Sequence, residues 1–462
     1  MSQIVSFSGG GWAGDWFEHY QRACFFLTPL PLDTTFLDSY LLPARPPLAN
    51  LLTGGIIATL PGRFAGYQVV TLVFSTLIVF PLVLFVHRWS RQPKTSVAVL
   101  SMLLMLNPMM VQNITFPWTK LFTGFWVLVG WYFMLRGSMP SGGARLRAVA
   151  WAALALGMVS HYSAGPWVVV ITASYAIWWL QQHPRPAFGR ELVTISAIVG
   201  LGLGTWLLWS VSHFGWNGTV GATTTVSAWD RESPWEHALA VWRNITNTMV
   251  PFPFRSFDQA MINQPSTLGY VRDVCFSIYQ VNLPGGFGLA GATAAIFCLR
   301  KGSIKERFPS PRSYWWVSSF AVITLGIAVH TPPDNWGLAH ICLAPLVALG
   351  IAALASCLPF SRRATAVVLA VALLDGVLGI ALHHGIEAWW FPSWWAGDGT
   401  AQEVGNALTA IAHQNLRIKT SFGLRFLGDL LPVHPALALA TLGAIGSSAG
   451  AHWWRIQRKV TP

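Results

Sequence analysis

YQVVTLVFSTLIVFPLVLFVH, residues 67–87, contains no Asp, Glu, Lys or Arg. Its length matches the ~20 predominantly apolar residues that cross the hydrocarbon core of a bilayer. Stretches of the same kind recur on both sides of it. They run from Val97 to Ile114, Trp118 to Leu135, Ala148 to Ser160, Pro166 to Leu180, Leu192 to His213, Pro284 to Leu299, Tyr314 to His330, Ala339 to Leu358, Ala364 to His383 and Pro435 to Trp453. With the first, about 11 spans are expected, and the fold class is an all-α polytopic membrane protein. Upstream, Pro46 to Leu60 is shorter and ends in Pro61-Gly62, which reads as a re-entrant or interfacial helix.

Composition agrees. Of 462 residues, 53% are hydrophobic and 10% charged, against the roughly 25% charged residues of a soluble domain. The chain has 25 Trp and 42 Gly, residue types enriched in membrane helices and at their interfaces. Pairs such as Trp178-Trp179, Trp315-Trp316, Trp389-Trp390 and Trp453-Trp454 read as interfacial anchors. The five Cys make no disulfide framework, and no Cys/His cluster has the spacing of a zinc site.

Basic loops stay on the cytoplasmic side, and 18 of the 29 Lys and Arg fall in six alternate segments. These hold Arg88, Arg91 and Lys94; Arg136, Arg145 and Arg147; Arg185 and Arg190; Arg300 to Arg312; Arg362 and Arg363; and Arg455 to Lys459. The net charge of +12 is therefore a consequence of topology, and no nucleic-acid partner is needed to explain it. Fourteen of the 17 carboxylates share the opposite, outer side.

The resulting layout is an outer first loop with an acidic motif and the interfacial helix (1–66), an N-terminal transmembrane core (67–214), an outer loop (215–283), C-terminal transmembrane helices (284–384), a second outer loop (385–434) and a last span with a basic cytoplasmic tail (435–462). This puts Met1 to Arg45 outside with no apolar helix ahead of it. The expectation is that a first span is missing upstream; the alternative is translocation of the N-terminus without its own helix.

The first outer segment reads GGGWAGDWFEHYQRACFFL, then LDTTFLDSYLLPARPPLANLL; NITFPWTKLFTGFWVLVGWYFMLRG and VSHYSAGPW follow. An acidic outer loop followed by an Arg-Pro-Pro-Leu entry into the next helix resembles the GT-C membrane glycosyltransferases. Within them it is most similar to the bacterial relatives of dolichyl-phosphate-mannose protein mannosyltransferases and lipid A aminoarabinose transferases. The resemblance covers about the first third of the chain. It implies a GT-C-like core, a polyprenyl-phosphate-linked sugar donor, inversion at the anomeric carbon and an active site on the outer face, in a bacterial inner membrane.

Moving a sugar from a lipid phosphate to a hydroxyl requires a base near the acceptor and positive charge near the departing phosphate. The resemblance places the acidic residue of base or metal function at Asp15. Glu18, three residues on, would share its helix face and bind the acceptor or help Asp15 hold a divalent cation, Mg or Mn. The mannosyltransferases show adjacent acidic residues there, whereas this chain has Asp-Trp-Phe-Glu. A capping box formed by Asp15 and Glu18 is the structural alternative. Asp33 and Asp38 read as turn or cap residues.

Arg45 precedes Pro46-Pro47, which stiffen the chain where the loop meets the membrane, and Arg suits bidentate contact with phosphate. Lys120 opens a span from the outer side and would either meet the same phosphate or snorkel to the interface. His161 and Tyr162, in the short outer turn HYSAGP, and His340, near an outer span end, are candidates for substrate contact. Asp375, in LLDGVL, lies mid-span and reads as an interhelical hydrogen-bonding residue. Intramembrane carboxylates are by default functional, so it also carries the competing reading of a transporter or flippase of lipid-linked sugars. An O-antigen ligase or polymerase is the third reading; the outer loop 215–283 has four Arg but His237 as its single histidine, fewer than that class uses.

Overall fold

The structure, a computed structural model, describes residues 15–28, 30–36, 40–60, 63–115, 118–139, 142–182, 185–221, 233–250, 275, 278–279, 282–300, 318, 321–326, 340–359 and 361–381. Among them the chain is helical, and strand-like pairing is limited to one antiparallel bridge between Phe36 and Tyr40. The helices are α1 (Asp15–Phe25), α2 (Leu48–Ile57), α3 (Arg63–Thr76), α4 (Val79–Trp89), α5 (Pro93–Leu106), α6 (Pro108–Thr115), α7 (Lys120–Gly137), α8 (Ala144–Ser160), α9 (Gly165–Gln182), α10 (Arg185–Val199), α11 (Thr205–Val220), α12 (Pro234–Met249), α13 (Gly288–Arg300), α14 (His340–Cys357) and α15 (Arg362–Ile380).

Among the described residues, three helical stretches are long and apolar enough to cross a membrane: Gly66–Trp89, Tyr162–Gln182 and Glu191–Val220. A fourth would be α5 with α6, which are bent by 69° to one another. The expected figure of about 11 is not reached by this measure among the described residues. The expected spans Tyr314 to His330 and Pro435 to Trp453, and the outer loop 385–434, lie largely or wholly outside them.

Two expected spans are broken, and the breaks meet. Val97 to Ile114 divides at Asn107, whose side-chain oxygen accepts the Met110 amide (2.9 Å) and so starts α6. Pro284 to Leu299 divides into the turn Leu283–Gly286 and α13, with Gly288 at φ 68°. Asn107 donates to the Gly286 carbonyl (3.0 Å), joining the two breaks. Asp375, from α15, accepts the Leu289 (3.1 Å) and Ala290 (2.8 Å) amides at the first turn of α13. Residue 288 must be glycine on two counts, its left-handed backbone and the 2.7 Å at which a Cβ would meet Asp375 Oδ2. The carboxylate expected at mid-span thus hydrogen-bonds across helices, satisfying amides that a helix end leaves open.

The central packing unit is the antiparallel pair α7 and α8. Small residues let the backbones approach, as at Gly130, where a Cβ would lie 2.7 Å from Leu154. Packing of this kind holds membrane helices together where lipid offers no hydrophobic drive. Leu121, Leu128, Trp131, Leu154 and Trp167 are buried in this core, and α14 adds Leu343, Val347, Ala348 and Ala352.

Because α7 and α9 run away from the end at which α8 finishes, the start of α7, the His161–Ala164 turn and the start of α9 share one end of the bundle. At the other end Arg147 clasps Glu191 with two bonds of 2.8 and 3.2 Å, and Tyr175 donates to the same carboxylate at 2.6 Å. Glu191, which directly follows the basic residue Arg190 in sequence, therefore has structural partners.

Candidate functional site

The described part of the N-terminal segment, from α1 to α2, folds onto the end of the bundle that carries His161. Helix α1 lies on α2 at close quarters: a Cβ at Gly54 would sit 2.6 Å from the Ala23 carbonyl oxygen. Glu18 and Arg22, one turn apart, face the same side in the order that favours pairing. Arg22 Nε donates to Glu18 Oε1 at 2.9 Å, and Nη2 lies 2.8 Å from the same oxygen. Both side chains are 1% exposed or less.

Arg22 also holds the chain that follows. Nη1 donates to the Leu42 carbonyl at 2.8 Å and Nη2 to the Leu41 carbonyl at 3.0 Å, while the guanidinium sits 4.3 Å over the Phe36 ring. From the other side, Tyr162 Oη donates to the Pro43 carbonyl at 3.2 Å, and Trp206 Nε1 donates to Tyr162 Oη at 3.5 Å. Three successive carbonyls, 41 to 43, are pinned by side chains from α1 and from the turn after α8. They lead directly to Arg45.

Arg45 Nη2 lies 3.2 Å from Glu18 Oε2, and its guanidinium stands 5.4 Å from the centre of the Tyr40 ring. Unlike Arg22, it is 17% exposed and reaches the surface. Two guanidiniums therefore flank one buried carboxylate. Burial alone would raise the Glu18 pKa, but Arg45 and then Arg22 outweigh it and hold the carboxyl below its ordinary value. The described residues do not fit a divalent cation at Glu18, because two cations already face its oxygens. Among the described residues no group of three or more His, Cys, Asp or Glu side chains is placed to hold a metal.

His19, on the neighbouring face of α1, is also buried. Its Nδ1 lies 3.1 Å from Asn50 Oδ1 on α2, and its ring centre is 6.3 Å from that of His161. The Ser163 amide donates to His161 Nδ1 at 3.0 Å, which fixes the proton of a neutral His161 on Nε2. Burial, reinforced by Arg45 and Arg22, lowers the His19 pKa from 6.5 to about 4 although Glu18 opposes it. Burial similarly brings the Arg22 guanidinium down to about 10, still charged at neutral pH.

The neutral state of His19 has a measurable consequence. Between pH 6.5 and 4 the unfolded chain takes up a proton at this position that the folded chain refuses, so stability falls as pH falls through that window. The full loss is on the order of 3 kcal/mol. Apparent Tm in detergent, measured from pH 7 to 4, is expected to decline less steeply for His19→Gln than for the parent; identical slopes would contradict the assignment.

Of the residues singled out from sequence, Glu18, Arg45 and Tyr162 come together through the contacts above, with His161 beside them through His19. Lys120 opens α7 at the same end but is buried, its Nζ 3.3 Å from the centre of the Trp118 ring. Asp15 is the first residue of α1 and His340 the first of α14, but their side chains lie outside the described residues, as does Asp38. Asp33 is exposed in a turn. Sequence reasoning passed over Arg22, His19, Asn50 and Trp206. The spacing of Glu18 and Arg22 was the available signal for the first; nothing local marks Asn50 or Trp206, whose roles arise from α2 and α11 being brought to α1 and to the 41–45 segment.

No family model and no curated protein matches the chain. Two solved structures, both of ArnT from Cupriavidus metallidurans, are similar to it. The apo state has 14% identity and a TM-score of 0.49 over 87% of this chain, and the form bound to undecaprenyl phosphate has 12% identity and a TM-score of 0.47 over 98%. They are matched over 63% and 71% of their own lengths, so this chain spans less than two thirds of the first.

Proposed function

We propose that the protein is a membrane glycosyltransferase that moves a sugar from a polyprenyl-phosphate carrier to an acceptor hydroxyl on the outer face of the membrane, with inversion. The observation that carries this reading is Arg45. It is a guanidinium held at the rim of a helical bundle by pinned backbone on one side and by Pro46-Pro47 on the other, in a protein with helices fit to lie in lipid. A rigid planar cation at that depth suits the phosphate of a lipid carrier. Undecaprenyl phosphate, held by the second ArnT structure, belongs to the same chemical class.

Arg45 would take up charge on the phosphate as it departs, with Lys120 adding positive charge at the same end of the bundle. Asp15 would accept the proton of the attacking hydroxyl, and His161 and Tyr162 would border the sugar or acceptor. No step is routed through a metal at Glu18. The transporter reading drew on Asp375, but both of its oxygens accept backbone amides at a helix break, a structural employment that needs no transport role to explain the carboxylate.

The test uses purified protein and a panel of radiolabelled polyprenyl-phosphate sugars. Release of free lipid phosphate is expected with one of them, and Asp15→Asn is expected to abolish it while the protein stays folded. A silent Asp15→Asn combined with loss of function in Asp375→Asn would favour transport instead.

A further inference from the structure

We infer that Glu18 is a positioning residue for phosphate recognition, acting through Arg45 rather than on the acceptor or a metal. The inference rests on the function proposed above and concerns how its phosphate site is built.

The geometry separates the two oxygens of Glu18. Oε1 is committed to Arg22, which contacts it through Nε and Nη2. Oε2 is buried and accepts no hydrogen bond of good geometry, yet it lies 3.2 Å from Arg45 Nη2. Arg45 is thus drawn toward Glu18 by charge, and its Nη1 donates to the carbonyl of Ala44 at 3.3 Å. A guanidinium has five N–H donors in a fixed fork, so contact with one counter-ion does not by itself exclude contact with a phosphate.

Arg22 makes this arrangement stiff. The guanidinium that grips Oε1 also grips the carbonyls of Leu41 and Leu42, and Tyr162 holds that of Pro43. The carboxylate and the backbone of Arg45 are therefore referred to the same anchor. A carboxylate between two guanidiniums is a poor base, because its charged form is favoured, and a poor cation ligand, because like charges surround it. What it does well is fix where Arg45 stands before the lipid phosphate arrives, so that less freedom is lost on binding.

The test is a double-mutant cycle on binding of 32P-labelled, sugar-free polyprenyl phosphate to the purified full-length protein in detergent. Arg45→Gln is expected to weaken binding by roughly a hundredfold and Glu18→Gln by roughly tenfold. In the Arg45→Gln background, Glu18→Gln should change little further, within about twofold, because the effect runs through Arg45. Full additivity of the two losses, or wild-type binding by Glu18→Gln, would overturn the proposal. So would a Mn2+-dependent gain in binding that Glu18→Gln removes, since Glu18 would then be a metal ligand.

If Glu18→Gln does not fold, Glu18→Asp keeps a negative charge beside Arg22, and Arg22 with its backbone contacts stays in place, but the carboxylate is withdrawn from Arg45 by one methylene. Glu18→Asp is expected to show the same roughly tenfold loss, again absent when Arg45 is Gln; normal binding by this variant would equally overturn the proposal. Equal binding by wild type and Arg45→Gln is a different result. It would remove the phosphate from Arg45, refuting the functional reading itself and the inference with it.

Discussion

Arg45→Ala is expected to slow release of polyprenyl phosphate from a labelled donor by roughly a hundred- to a thousandfold, the range seen when one donor to a developing anion is removed. The reason is charge. As the glycosidic bond to phosphate breaks, negative charge grows on the leaving oxygen, in a rim where lipid and packed side chains limit the water able to stabilise it. A fixed cation there is worth more than the same cation in bulk solvent. Arg45→Lys should recover part of the rate, since charge returns but the bidentate fork does not. The measurement is the steady-state rate at saturating donor, with the parent fold checked by size-exclusion behaviour. A rate unchanged by Arg45→Ala would remove the observation on which the proposed function stands.

Arg22→Ala is expected to cost about 3–5 kcal/mol of stability, the penalty for removing one partner of a buried ion pair. Glu18 would keep Arg45 but lose its closer partner, and the Leu41 and Leu42 carbonyls would lose their donors. The loss should be local: α1 and the segment to Arg45 would detach while the α7–α8 core keeps its packing. Limited proteolysis reads this directly, with new cleavage between residues 28 and 45 in Arg22→Ala and none in the parent. Protection equal to the parent would mean that Arg22 does not hold the segment.

The two predictions separate what local pattern could reveal from what it could not. The span Gly66–Trp89 and helix α9 were legible as apolar runs because hydrocarbon accepts only segments whose backbone bonds are satisfied internally. The break at Asn107-Pro108 was not legible by hydropathy, since the residues on both sides are apolar. What decides it is a side chain that caps one piece and reaches Gly286, far along the sequence. Likewise Glu18 could be marked as an acidic residue in an outer loop, and its spacing from Arg22 noted, but its contact with Arg45 crosses 27 positions of sequence.

By itself the sequence determined that the chain is helical and suited to a membrane, and which residue types are available for acid–base and phosphate chemistry. Those are properties of composition and period, and they need no knowledge of neighbours. Tertiary structure alone decided that Glu18 faces two guanidiniums, that His19 is buried neutral, and that Asp375 caps a broken helix. Each of these follows from which charges and amides are brought within a few ångströms of one another, and electrostatic and hydrogen-bond energies depend on that separation far more than on residue identity.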